Sequence, residues 1–97
     1  PGPVPPLASP IRSATHRHSP EIWRNAARLG IPTTRAAVPY GTPEMSAEVA
    51  RLYNESDLRT RRLFAMGGHE DGVVSFGRTA EQAGQVLLAA LANSLYV

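Results

Sequence analysis

The chain of 97 residues contains neither cysteine nor lysine. Without cysteine there is no disulfide and no thiolate, so any metal it binds must be held by nitrogen and oxygen. A reducing cytoplasm is the expected compartment, since the N-terminus also lacks the basic segment and apolar core of a secretory signal. It begins with Pro rather than Met, which suggests a trimmed start. No apolar run approaches the roughly 18 residues that a membrane span requires, and no membrane partner is expected. All ten basic residues are arginine, offset by eight acids for a net charge of +2. The pI near 9.7 alone suggests nucleic acid, but no aromatic residues alternate with the arginines as a stacking platform would need. No nucleic-acid partner is expected. The cluster Arg59, Arg61 and Arg62 reads as a solvated helix end or strand entry.

The remaining composition, 42% hydrophobic and 19% charged, is that of a globular chain, and its length allows one domain at most. Residues 1–12 are expected to form a Pro-rich extended or disordered arm, with five prolines in the first ten positions. Residues 13–97 form the domain. A strand is expected near 13–17. Ser19-Pro20-Glu21 is a helix start, with Ser as N-cap and Pro at the first helical position. That helix should run from Pro20 to Leu29, burying Ile22, Ala26 and Leu29, flanked by Trp23 and Ala27, and stopping at Gly30. Trp23 is expected to serve as core or as an oligomer contact. Thr33 to Val38 reads as a short strand, and Thr42-Pro43-Glu44 repeats the start signal for a helix to about Asn54.

Leu63 to Met66 and Val73 to Phe76 are strand-length apolar runs that fit a hairpin with Asp71-Gly72 in the turn. Thr79-Ala80-Glu81-Gln82 is a capping box opening a helix to about Leu95, with Ala83, Val86, Leu87, Ala90 and Leu91 inward. Strands alternate with helices, so an α/β layered unit is the simplest architecture.

The three histidines carry the chemistry. His16 and His18 flank one residue, and strand side chains alternate with period two, so both imidazoles would lie on one side of a strand. His69 lies between the two apolar runs, in Gly67-Gly68-His69-Glu70-Asp71-Gly72. Imidazole is the commonest side-chain ligand for zinc, and three protein ligands with one open position is the layout of catalytic zinc sites. A His-x-His alone is a weak signal, because surface histidines usually bind nothing. Convergence of all three is what a site requires.

Three segments in order, Thr15-His16-Arg17-His18-Ser19-Pro20-Glu21-Ile22-Trp23, Tyr40-Gly41-Thr42-Pro43-Glu44-Met45, and Met66-Gly67-Gly68-His69-Glu70-Asp71-Gly72-Val73-Val74 with Phe76-Gly77, precede an Ala-rich closing helix. Together they resemble the C-terminal half of the class II aldolase/adducin family over residues 14 to 95. The resemblance implies a partial three-layer α/β/α fold around a largely antiparallel sheet. It also implies a divalent metal, usually zinc, on His16, His18 and His69. Family enzymes are lyases that cleave carbon–carbon bonds of ketose or ketose-phosphate substrates through a metal-stabilised enediolate. They are usually homo-oligomers. The implied partners are therefore a small carbonyl or sugar-phosphate substrate and further copies of the chain.

Two departures from the family pattern bear on activity. The family's third ligand usually precedes Gly directly, whereas His69 precedes Glu70-Asp71-Gly72, which points to a variant branch. The family's catalytic carboxylate and phosphate-binding loops lie upstream of the His-x-His, where this chain has fifteen residues and no Asp or Glu. An incomplete catalytic unit is expected, with enzyme activity left open. Glu70, beside His69, is the candidate replacement carboxylate, since a carboxylate near a metal can act as base, ligand or orienter of an imidazole. Asp71 is assigned to the turn and Tyr40 to packing. The alternative is a non-catalytic, adducin-like oligomerisation or interaction module.

Overall fold

The computed structural model describes residues 13–39 and 41–95. The Pro-rich arm and Tyr40 lie outside the described residues. Among the described residues, four strands form one sheet of order β1-β4-β3-β2. They are β1 (Ser13–His18), β2 (Thr33–Thr34), β3 (Leu63–Met66) and β4 (Gly72–Gly77). β4 is antiparallel to both β1 and β3, while β2 joins β3 in parallel. The helices are α1 (Pro20–Arg24), α2 (Ala26–Leu29), α3 (Pro43–Glu55), α4 (Leu58–Arg61) and α5 (Ala80–Ser94). The protein is thus a small mixed α/β unit.

Period-two alternation in β3 divides the core. Leu63 and Ala65 face one side, with Val73, Ile22, Ala26 and Ile31, and Val86, Leu87, Ala90 and Leu91 of α5 pack against them. Phe64 and Met66 face the other side, with Phe76, Leu52, Tyr53 and Leu58. Both faces of the sheet are therefore covered, α1, α2 and α5 on one and α3 and α4 on the other, which explains why β3 is buried along its whole length. Buried Ser75 ties the first layer down, its hydroxyl donating to the Ala83 carbonyl at 2.8 Å. No helix among the described residues is long and apolar enough to cross a membrane.

Several expected boundaries hold and others move for identifiable reasons. Thr79 caps α5 by accepting from the Gln82 N–H at 3.1 Å, and Gly30 takes the left-handed conformation at φ 73° after α2. The expected helix from Pro20 to Leu29 is broken at Asn25, whose side-chain amide donates to the Glu21 carbonyl at 2.8 Å. A side chain that competes for a helical carbonyl interrupts the ladder. Ala27 faces solvent instead of widening the apolar stripe. Thr42 precedes α3 as expected but accepts no capping bond; its hydroxyl donates to the Pro39 carbonyl at 2.9 Å.

The expected strand from Thr33 to Val38 stops at Thr34. The Arg35 N–H leaves the sheet and donates to Glu48 Oε1 at 2.8 Å, and Val38 N–H closes a turn on the Arg35 carbonyl. In the hairpin it is Asp71, at φ 64°, that takes the left-handed conformation, while Gly72 is already the first residue of β4.

Candidate metal centre

β1 is paired residue by residue with β4, so that His16 lies opposite Val74 and His18 opposite Gly72. Their rings project from one face of the strand, as the spacing requires, while Arg17 projects from the other. Val74 packs with the α3 and α4 cluster, which places the histidines on that side of the sheet. His69 arrives from the β3–β4 connection, where its N–H closes a turn on the Met66 carbonyl at 3.1 Å and its own carbonyl accepts from the Gly72 N–H at 2.9 Å. The connection therefore folds back over the start of β4, opposite His18. Ser19 N–H, donating to the Asp71 carbonyl at 2.7 Å, ties the end of β1 to the same loop.

The three imidazoles meet there. Ring centroids are 5.3 Å apart for His16 and His18, 5.3 Å for His16 and His69, and 5.0 Å for His18 and His69. One nitrogen from each ring lies within 4.8 Å of the others. Tetrahedral zinc with bonds of about 2.05 Å requires ligand nitrogens about 3.4 Å apart. The nitrogens are thus already gathered to near that spacing, on backbones that converge. His16 and His69 are half-buried and His18 is exposed, so the cluster opens to solvent on one side. The donor set, all nitrogen and without thiolate, fits a zinc-class divalent ion.

Electrostatics favour the ligating form. Burial, then the neighbouring charges of His69, His18 and Arg17, push the His16 imidazole below its ordinary pKa. A neutral imidazole is the form that coordinates a metal.

Glu70 sits in the turn immediately after His69 with its side chain exposed. Asp71 is less exposed, and its Oδ1 is buried without a hydrogen bond among the described residues. Trp23 is partly buried against the core, and its indole N–H donates to the Met66 carbonyl at 2.9 Å, the same carbonyl that receives His69 N–H. Of the arginine cluster, Arg59 stands over the Tyr53 ring at 4.7 Å, Arg61 pairs with Asp57 at 3.2 Å, and Arg62 ends α4 at φ 62°.

Sequence reasoning missed Glu48. Its carboxylate, only 6% exposed, accepts from Arg51 Nε and Nη2, both at 2.9 Å, as well as from the Arg35 backbone N–H. The signal was present: Met45, Glu48 and Leu52 share one face of α3, so a carboxylate interrupts the apolar stripe with Arg51 three residues on.

No family model, curated protein or solved structure matches the chain.

Proposed function

We propose that the chain binds a divalent metal of the zinc class through His16, His18 and His69, and that it is a cytoplasmic, class II aldolase/adducin-like domain acting on a small carbonyl compound such as a ketose or ketose phosphate. The observation that carries the metal reading is the meeting, within 4.8 Å, of nitrogens from three histidines on two separate elements. The ordered motifs and the helices on both faces of the sheet support the family reading.

Such an ion, when bound, supplies a Lewis acid that polarises a carbonyl oxygen. The chain's own residues define the rest. His16 and His69 hold the inner wall, and exposed His18 leaves the approach from solvent open. Glu70, exposed in the turn beside His69, is the carboxylate to which we assign the acceptance of a proton from a substrate carbon.

Metal analysis and calorimetric titration of the purified chain with Zn2+ test the reading. Stoichiometric binding is expected in the wild type and its loss in the His16→Ala, His18→Ala double variant. Equal uptake by both proteins, or none by either, overturns it. Chelator-sensitive cleavage of a ketose phosphate then tests the lyase assignment, with loss in Glu70→Gln as the sign of its role.

The second reading, a non-catalytic oligomerisation module, is favoured by Leu88 and Leu95, which are 66% and 68% exposed on and just after α5. A monodisperse monomer by light scattering would remove it.

A further inference from the structure

We propose that Thr34 is the positioning residue for His69, holding the turn that carries this imidazole in the place where it meets His16 and His18. The inference rests on the reading of those histidines as metal ligands.

β2 pairs with β3 for two residues only, ending with Thr34 opposite Met66. Beyond that point the β2 backbone turns away to Glu48, and the next donor along β3, the Gly67 N–H, loses its strand partner. Thr34 supplies one. Its hydroxyl oxygen, in a residue 2% exposed, accepts from Gly67 N–H at 3.1 Å. Gly67 and Gly68 are the two central residues of the turn closed by His69 N–H on the Met66 carbonyl. The chain following Thr34 is packed directly on them. A Cβ on Gly67 would fall 2.2 Å from the Thr34 carbonyl oxygen, and one on Gly68 would fall 2.6 Å from that of Val38. Both glycines are therefore required by close backbone approach, neither having a positive φ.

This chain segment is itself anchored, because Glu48 accepts the Arg35 N–H. The support thus runs from α3 through Arg35 and Thr34 to Gly67 and the His69 backbone. Such support matters for a ligand more than for folding: metal–nitrogen distances tolerate only about 0.2 Å, and losing a group that orients a ligand typically weakens metal affinity by about 10- to 100-fold.

Zn2+ affinity, read by competition with a chromophoric chelator, and the Co2+ absorption spectrum would be compared across variants confirmed folded by circular dichroism. Thr34→Val keeps the shape and removes the acceptor; Thr34→Ser keeps the acceptor. Affinity is expected to fall about tenfold or more in Thr34→Val, with an altered Co2+ spectrum, and to stay within about threefold of wild type in Thr34→Ser. Thr79→Ala, which loses the α5 cap on the other layer, controls for stability alone and should bind as wild type does. Wild-type affinity in Thr34→Val, or an equal fall in Thr79→Ala, overturns the proposal while leaving the metal reading intact; no Zn2+ binding by wild type overturns both.

Should Thr34→Val not fold, hydrogen exchange in the unaltered chain decides. Zn2+ should slow exchange of the Gly67 amide more than that of the Gln82 amide, and an equal effect on both overturns the assignment.

Discussion

The His69 imidazole occupies the space that a side chain at Gly72 would fill: a Cβ on Gly72 would stand 2.3 Å from His69 Cδ2. Gly72 opens β4 without a positive φ, so the position demands glycine for room rather than for backbone freedom. Gly72→Ala should therefore act through the ring it displaces. Overpacking of this kind costs about 1–3 kcal/mol. Zn2+ affinity should fall about tenfold or more at temperatures where the variant remains folded. Chemical denaturation and metal titration of the same sample separate the two effects, and undiminished affinity would show that His69 does not need its present seat.

Metal binding should also appear as stability. His16 and His18 lie on β1 and His69 on the β3–β4 connection, so an ion shared among them bridges an edge strand to the middle of the sheet. A ligand that binds only the folded state at about 100 times its Kd adds about 2.7 kcal/mol. In a domain of this size that raises Tm by roughly 10 °C or more. Zn2+ should produce this rise in the wild type, EDTA should reverse it, and His18→Ala should largely abolish it.

How much of this could be read from the sequence depends on how local each cause is. The starts of α1 and α5 were legible because Ser19 and Thr79 act on backbone groups three residues away. The shared face of His16 and His18 was legible because strand alternation alone dictates it. The proximity of His69 was an inference from motif order, since it depends on β1 pairing with β4 across more than fifty residues. The short length of β2 could not be read at all: it is decided by Glu48, thirteen residues away, which removes the Arg35 N–H from the sheet. Asp71-Gly72 was legible as a turn signal, yet its two residues exchange roles, Asp71 taking the positive φ and Gly72 making room for a ring.

Trp23, the sole tryptophan, links the layer of α1 and α5 to the metal-side turn through its bond to the Met66 carbonyl. Trp23→Phe removes that donor, while the carbonyl keeps its bond from His69 N–H. A loss of about 1–2 kcal/mol is expected from the missing hydrogen bond and the smaller ring. Urea denaturation followed by circular dichroism measures it; a change below about 0.5 kcal/mol would mean that the indole bond contributes nothing net.

Glu48 should make the fold acid-sensitive. Arg51, hydrogen-bonded to the carboxylate, is the main cause holding its pKa down, and the Arg35 N–H assists against the opposing effect of burial; the result is about 2, from an ordinary 4.5. A carboxyl whose folded pKa is depressed contributes stability that is fully present above its unfolded pKa and is lost as pH falls toward the folded one. The contribution of Glu48 should therefore be complete above about pH 5.5 and vanish near pH 2. Glu48→Gln keeps an acceptor for the Arg35 N–H but loses the charge. Breaking a fully buried pair costs about 3–5 kcal/mol, and Arg51 keeps a quarter of its side-chain exposure, so a loss of about 2 kcal/mol is expected at pH 7. Urea denaturation of both proteins across this range checks the sign. The stability gap should narrow from pH 5 downward and close near pH 2, because every other titrating group is common to the two chains. A gap that stays constant across the range would show that the Arg51 pair does not hold the Glu48 charge in the folded state.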